Sequence, residues 1–175
     1  MVNLKGDKIY LRALEPEDLE FVYTIENDTA LWSLSDTKQP YSRYLIREYL
    51  KNAKQDIFEA KQLRLAICQQ SDNKILGLID LYDFSPLHKR AGLGILIKEI
   101  SDRKKGIGSE ALNLLVNYAF DILNLHQVYA NISETNSASL ALFENNGFEK
   151  IGLKKDWSYD GKSYSNEFIL QRINH

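Results

Sequence analysis

Residues 103–108 read Arg-Lys-Lys-Gly-Ile-Gly, and Ser109 and Glu110 lead on into a helical pattern of Ala111, Leu112, Leu114, Leu115, Tyr118, Ala119, Ile122 and Leu123. Ahead of them, residues 93–100 form an apolar run with strand character. A strand, a basic loop with two glycines and a helix opening on that loop make an anion cradle. The first N–H groups of a helix have no intrahelical partner, and the macrodipole adds partial positive charge there. Gly106 and Gly108 let the backbone approach an anion with no Cβ in the way. Arg103, Lys104 and Lys105 add full charges. The chemistry within reach is the holding of a phosphorylated ligand, with the amides of Gly106, Ile107, Gly108 and Ser109 as donors. The plainer alternative is a glycine turn before a solvated helix start.

Two other phosphate loops do not fit. The string Gly-x-x-x-x-Gly-Lys-Ser/Thr is absent, and Gly106-x-Gly108 leads to Ala111 where a dinucleotide fingerprint needs a third glycine.

The elements that must position this loop follow from hydrophobic period and turn chemistry. Residues 8–14 alternate as a strand. Pro16 opens a helix with Glu15, Glu17 and Asp18 supplying acid to its first turn. Residues 27–40 have no clean period and read as loop with room for one helical turn, and residues 41–58 read as one helix. Strands are expected at 62–69, 75–84 and 90–100, with a turn at 71–74. The helix after the loop spans 107–123. A strand at 127–133, a helix at 137–145 and two strands at 148–158 and 163–172 follow, the last two joined at Asp160-Gly161, a hairpin signal. The expectation is one α+β domain over residues 1–175, with a mixed sheet of about seven strands flanked by about four helices.

With 175 residues, 44% hydrophobic and 26% charged, the chain has the composition of an ordinary globular domain. A net charge of −2 does not suggest a nucleic-acid partner. Cys68, the single cysteine, lies in an apolar run and reads as an inert buried thiol. A disulfide within the chain and a zinc site are both excluded by ligand count, so no metal is expected. No signal peptide and no membrane-length apolar run is visible, which makes a cytoplasmic protein the expectation.

The element order, with Arg-x-x-Gly-x-Gly after the fourth strand, resembles the GNAT N-acetyltransferases. The segment 11–18, Leu-Arg-Ala-Leu-Glu-Pro-Glu-Asp, resembles the Leu-Arg…Asp opening of the subgroup holding polyamine and ribosomal-protein N-terminal acetyltransferases. Asn136-Ser137-Ala138-Ser139, with residues 142–148, resembles that family's Asn-x-x-Ser/Ala…Tyr-x-x-x-Gly-Phe segment. Residues 77–83, 88–91 and 124–126 resemble the spermidine/diamine branch. Three positions depart from that branch: Lys38-Gln39 where it has a Glu-Glu pair, Gly92 where it has Glu, and Phe143 where it has a general-acid tyrosine.

The resemblance implies an N-acetyltransferase using acetyl-CoA, acting on a primary amine. A polyamine or diamine comes first and a peptide N-terminus second; a GNAT-fold acyl-CoA-binding module with weak catalysis is a third reading. It implies no nucleic-acid or membrane partner and leaves a homo-oligomer open. CoA contacts are then expected from the loop residues above, from the backbone of Ile95, Leu96 and Ile97, from Asn136 and from Phe143. Asn136 could equally cap the following helix. Acetyl transfer needs a neutral amine, and Asp80 and Asp83 are the candidate bases. They stand three apart on a strand and so should face opposite sides; both could equally be solvated strand-end carboxylates. A proton for the departing thiolate cannot come from Phe143. It falls to water or to a hydroxyl not identified from sequence, with Tyr118, Tyr129, Tyr159, Tyr164 and Ser139 near the relevant elements.

Overall fold

The computed structural model of the chain describes residues 4–35, 37–53 and 55–175. The elements run β1 (Ile9–Ala13), a 3-10 turn at Pro16–Asp18, α1 (Leu19–Glu26), α2 (Trp32–Ser35), α3 (Arg43–Asn52), α4 (Ile57–Ala60), β2 (Leu63–Gln69), β3 (Ile75–Ser85) and β4 (Arg90–Ile97). A 3-10 turn at Ile100–Asp102 leads to α5 (Ile107–Asp121), β5 (Gln127–Ser133), α6 (Ser137–Glu144), β6 (Glu149–Tyr159) and β7 (Tyr164–Ile173). The seven strands form one sheet in the order β1-β2-β3-β4-β5-β7-β6, antiparallel throughout except for β4 against β5. Seven strands and four helices of eight residues or more match the expected α+β architecture.

The alternating pattern of the central strands turns one face towards α5 and α6. Ile79, Leu81, Leu93, Val128, Ala130 and Leu170 pack there against Leu112, Leu115, Val116, Leu140 and Phe143, each at most 7% exposed. Burial of this apolar surface is the main stabilising term. Val22, Ile46 and Leu50 form a smaller cluster between α1 and α3. Arg12 and Asp18 tie the end of β1 to the start of α1 through a bidentate pair at 2.7 and 2.9 Å, and Asp18 also accepts from the Glu15 N–H. Burial pushes the Asp18 carboxyl up, but these donors outweigh it and hold it below its ordinary value. The Leu-Arg…Asp opening is thus a structural clasp.

Two boundaries differ from the sequence reading. The expected helix over 41–58 is two helices. Ser42 caps α3 by accepting from the Leu45 N–H, and Asp56 restarts the chain as α4 by accepting from the N–H groups of Phe58 and Glu59. Lys54 within that span lies outside the described residues. A local cap outcompetes continued helix here. β4 stops at Ile97, three residues early, because the Lys98 N–H goes to the Leu76 carbonyl and Ile100–Asp102 coils into a 3-10 turn.

Candidate active site

Among the described residues the fourth and fifth strands are the only parallel neighbours, and their ladder is short. Arg90, Ala91 and Gly92 pair with Gln127, Val128 and Tyr129, and there it ends. β4 continues to Ile97 on β3 alone, with Ile95 opposite Ile79 and Ile97 opposite Gly77. From Leu93 onward the other edge of β4 pairs with no strand among the described residues. Ile95, Leu96 and Ile97 therefore sit on the lip of a split, where a strand edge offers N–H and C=O groups to an extended ligand. The Ile97 carbonyl is already engaged by the Arg103 guanidinium, at 3.2 and 3.0 Å.

The glycine loop lies at the end of this split. Gly106 has φ +80°, the left-handed conformation, and is the N-cap of α5. Gly108 is held by packing: a Cβ there would lie 3.3 Å from Leu142 and close to Ile95. Lys104 and Lys105 are exposed, with Lys105 paired to Asp102 at 3.2 Å. The Ser109 hydroxyl accepts from Asn146 at 3.0 Å. Two residues outside the motif complete the cradle. The Lys8 ammonium donates to the Lys105 carbonyl at 2.8 Å and stands 3.4 Å from where a Gly106 Cβ would be. Glu110 accepts from the N–H groups of Lys8 and Ile9 and so fixes the start of β1 to the first turn of α5. The first-turn acid Glu110 was visible in the sequence; Lys8, 97 residues away from Lys105, was not.

The sheet face opposite α5 and α6 carries the titratable groups. Arg64 of β2 sits between Glu26 of α1, at 3.1 Å, and Asp80 of β3, at 3.8 Å. The Arg64 Nε is buried without a hydrogen-bond partner. Burial raises Asp80 above the ordinary carboxylate value; Arg64 opposes the shift, and the Glu26 charge adds to it. Its side chain keeps 20% of its surface accessible, so it is withdrawn from water but reachable. Asp83 is different. A bulge between Tyr82 and Ser85 puts it at φ +47° and breaks the alternation, so Phe84 turns into the core and Asp83 is exposed, near enough to Tyr129 to raise its phenol further beyond the effect of burial. The expectation of two carboxylates on opposite faces gives way to one partly buried carboxylate and one solvated one.

Tyr82 shares the Asp80 face. Its hydroxyl accepts from Asn131 of β5 at 3.1 Å, and Asn131 accepts in turn from Lys154, which pairs with Glu167. Burial pushes the Tyr82 phenol up to about 12. On α6, Asn136 caps its own helix through the Ser139 N–H at 3.2 Å. Phe143 is 2% exposed, edge-on to Phe148 with ring centroids 5.0 Å apart, a core packing residue. Among the described residues no group of His, Cys, Asp and Glu could hold a metal ion, and no helix is long and apolar enough to cross a membrane.

Comparison with known proteins joins these features to a family. The acetyltransferase (GNAT) domain matches residues 8–149. The chain is 28% identical over 169 residues to a spermidine N(1)-acetyltransferase of Vibrio cholerae, covering 95% of each chain. It is 26% identical over 147 residues to the spermidine N(1)-acetyltransferase of Escherichia coli K12, covering 82% of this chain and 74% of the other. A solved structure of the Vibrio cholerae enzyme with CoA and spermine superposes with TM-score 0.85 over 96% of both chains, at 23% identity, a likeness of fold. The protein therefore belongs to the GNAT acetyltransferases and is an N-acetyltransferase that takes its acetyl group from acetyl-CoA.

Proposed function

We propose that the protein acetylates a small primary amine, of the polyamine or diamine class, at the mouth of the β4–β5 split. The observation that carries this reading is the presence together of three features: an open β4 edge, a left-handed glycine at the start of α5, and a withdrawn carboxylate, Asp80, opposite Gly94 of β4 on the sheet face away from α5. The cradle fits the pyrophosphate of CoA: the free amides of the first turn of α5, with Gly106, Ile107, Gly108 and Ser109, face that end, and Lys8, Lys104 and Lys105 add charge. Arg103 serves by bracing the loop on Ile97. Asn136 and Phe143 shape α6 beside the split. When bound, the cofactor supplies an acyl thioester.

The chain's own residues then have two tasks. An amine arrives as an ammonium and must lose a proton before it can attack. A carboxylate at its ordinary value is a weak base for this, whereas one raised by burial is better matched. Asp80 takes that role, directly or through one water, and Arg64 sets its orientation. Asp83, solvated at the bulge, is left outside the chemistry. Nothing in Phe143 can protonate a leaving thiolate, so solvent does so. The names of the relatives support spermidine or a diamine as acceptor. The spermidine N-acetyltransferase of Vibrio cholerae has a dodecameric structure that is similar in fold to this chain, with TM-score 0.79, and we extend self-association to this chain. The test is release of free CoA from acetyl-CoA in the presence of mono-, di- and polyamines and of a short peptide with a free N-terminus. Turnover with the peptide alone would replace the small-amine reading.

A further inference from the structure

Gly92 and Gly94 leave β4 without side chains at the apex of the split, and the Tyr82 ring stands over Gly92, so that Gly92 is buried and Gly94 half-buried. A Cβ at residue 92 would lie 2.2 Å from Cε2 of the Tyr82 ring and 2.3 Å from Cζ. Only glycine coexists with the ring in this place. At residue 94 a Cβ would meet Asp80 at 3.8 Å and the far edge of Tyr82 at 3.9 Å. This side-chain-free stretch of β4 is therefore flanked by Asp80 on one side and by the Tyr82 ring on the other. The ring is fixed from both ends. It lies edge-on to Tyr129, with centroids 6.0 Å apart, and its hydroxyl is held by Asn131 across the split.

The charges on this face are nearly all spent on each other. Arg64 is shared by Glu26 and Asp80. Lys154 pairs with Glu167 at 2.5 Å and lies over the Trp157 ring. Three carboxylates against two cations leave one net negative charge. The Tyr82 end offers a neutral phenol backed, one amide away, by a neutralised ion pair. The carboxylate at that end, Glu167, is already paired with Lys154.

We infer that Tyr82 is a specificity-determining wall, which with Lys154 closes the apex of the acceptor face to further positive charge, so that amines keeping at most one ammonium after reaction are preferred to longer polycations. This rests on the small-amine reading above and narrows it. A diamine keeps one ammonium after acetylation, spermidine two and spermine three; the diamine asks least of a face that offers at most one net negative charge, and none once Asp80 has taken a proton.

The experiment is a comparison of kcat/KM for 1,4-diaminobutane, spermidine and spermine in the full chain and two variants. In the wild type the diamine should lead spermidine by about tenfold or more. Replacing the wall by Tyr82→Leu with Gly92→Glu removes the ring and puts a carboxylate in its room; the ratio should swing towards spermidine by at least about tenfold. Lys154→Met frees Glu167 while leaving the Tyr82 ring and Gly92 in place, and should move the ratio the same way by a smaller factor. This variant decides the matter if the double variant does not fold. Wild-type preference for spermidine, or an unchanged ratio in a folded variant that still binds CoA, would overturn the inference and leave the small-amine reading standing. No turnover with any amine, with CoA still bound, would overturn both.

Discussion

Gly106→Ala tests the cradle where sequence and geometry bear on each other most directly. Gly106 holds φ +80° at the N-cap of α5. An L-residue in the left-handed region costs roughly 1–2 kcal/mol relative to glycine. Steric collision adds little, since the only atom near the new Cβ is the flexible Lys8 ammonium at 3.4 Å. The cost has two outlets. If the loop keeps its shape, it appears as lost stability, about 2–8 °C in Tm for a domain of this size. If the loop relaxes, the first amides of α5 turn away from the ligand and CoA affinity falls by about 5–30-fold. Calorimetric titration with CoA and with pantetheine, which has no phosphate, read alongside thermal melts, separates the two. Pantetheine affinity should stay unchanged in either case. The reasoning fails if neither Tm nor CoA affinity moves, or if pantetheine loses as much as CoA.

Lys8→Met should weaken CoA by about 2–5-fold in dilute buffer, with the difference closing as salt approaches about 0.5 M, because an exposed charge contributes under about 1 kcal/mol and is screened. Asp80→Asn should lower kcat by about 10²–10⁴ while Tm at pH 7 stays level or rises. The folded protein holds the Asp80 proton more tightly than the unfolded chain does, so the ionised carboxylate subtracts stability as pH climbs above about 4, and the amide removes that loss. A fall in Tm at pH 7 would contradict this sign. Asp18→Asn should destabilise by about 3 kcal/mol, the lower end of the range for a broken buried pair, because Arg12 keeps 30% of its side-chain surface in solvent. The Asp18 value is lowered on folding, so its contribution is present above about pH 4 and disappears as the pH drops below that; urea unfolding between pH 6 and 3 should show a slope in the wild type that flattens in Asp18→Asn.

The anion loop was legible because its signal is local: glycines, basic residues and a helix start within a dozen positions. The strands were legible for the same reason, since alternation at period two survives in a single sequence. Caps beat periodicity at Ser42 and Asp56, where a few capping atoms decide boundaries that the hydrophobic pattern over 41–58 does not show. The acceptor face was barely legible. Arg64, Asp80 and Glu26 come from three elements, and their meeting depends on strand register. Tyr82 looked like one of 10 tyrosines until the glycine opposite it in the ladder was known. Gly92, read in sequence only as the loss of an acid, is the complement of that ring. Phe143, read as a missing hydroxyl at the thioester, is a buried partner of Phe148.

The short β4–β5 ladder also has a mechanical side. Strands β1 to β4 and strands β5 to β7 meet in the sheet through just three residue pairs, against the long antiparallel ladders within each half. Helix α5, bonded to the start of β1 through Glu110 and packed on both halves, acts as the strap across this seam. A molecule lying in the split would touch both halves and do the work of the missing rungs. Binding and cohesion are then the same event: hydrogen exchange should show the seam opening below the free energy of global unfolding, and occupancy should slow that opening selectively.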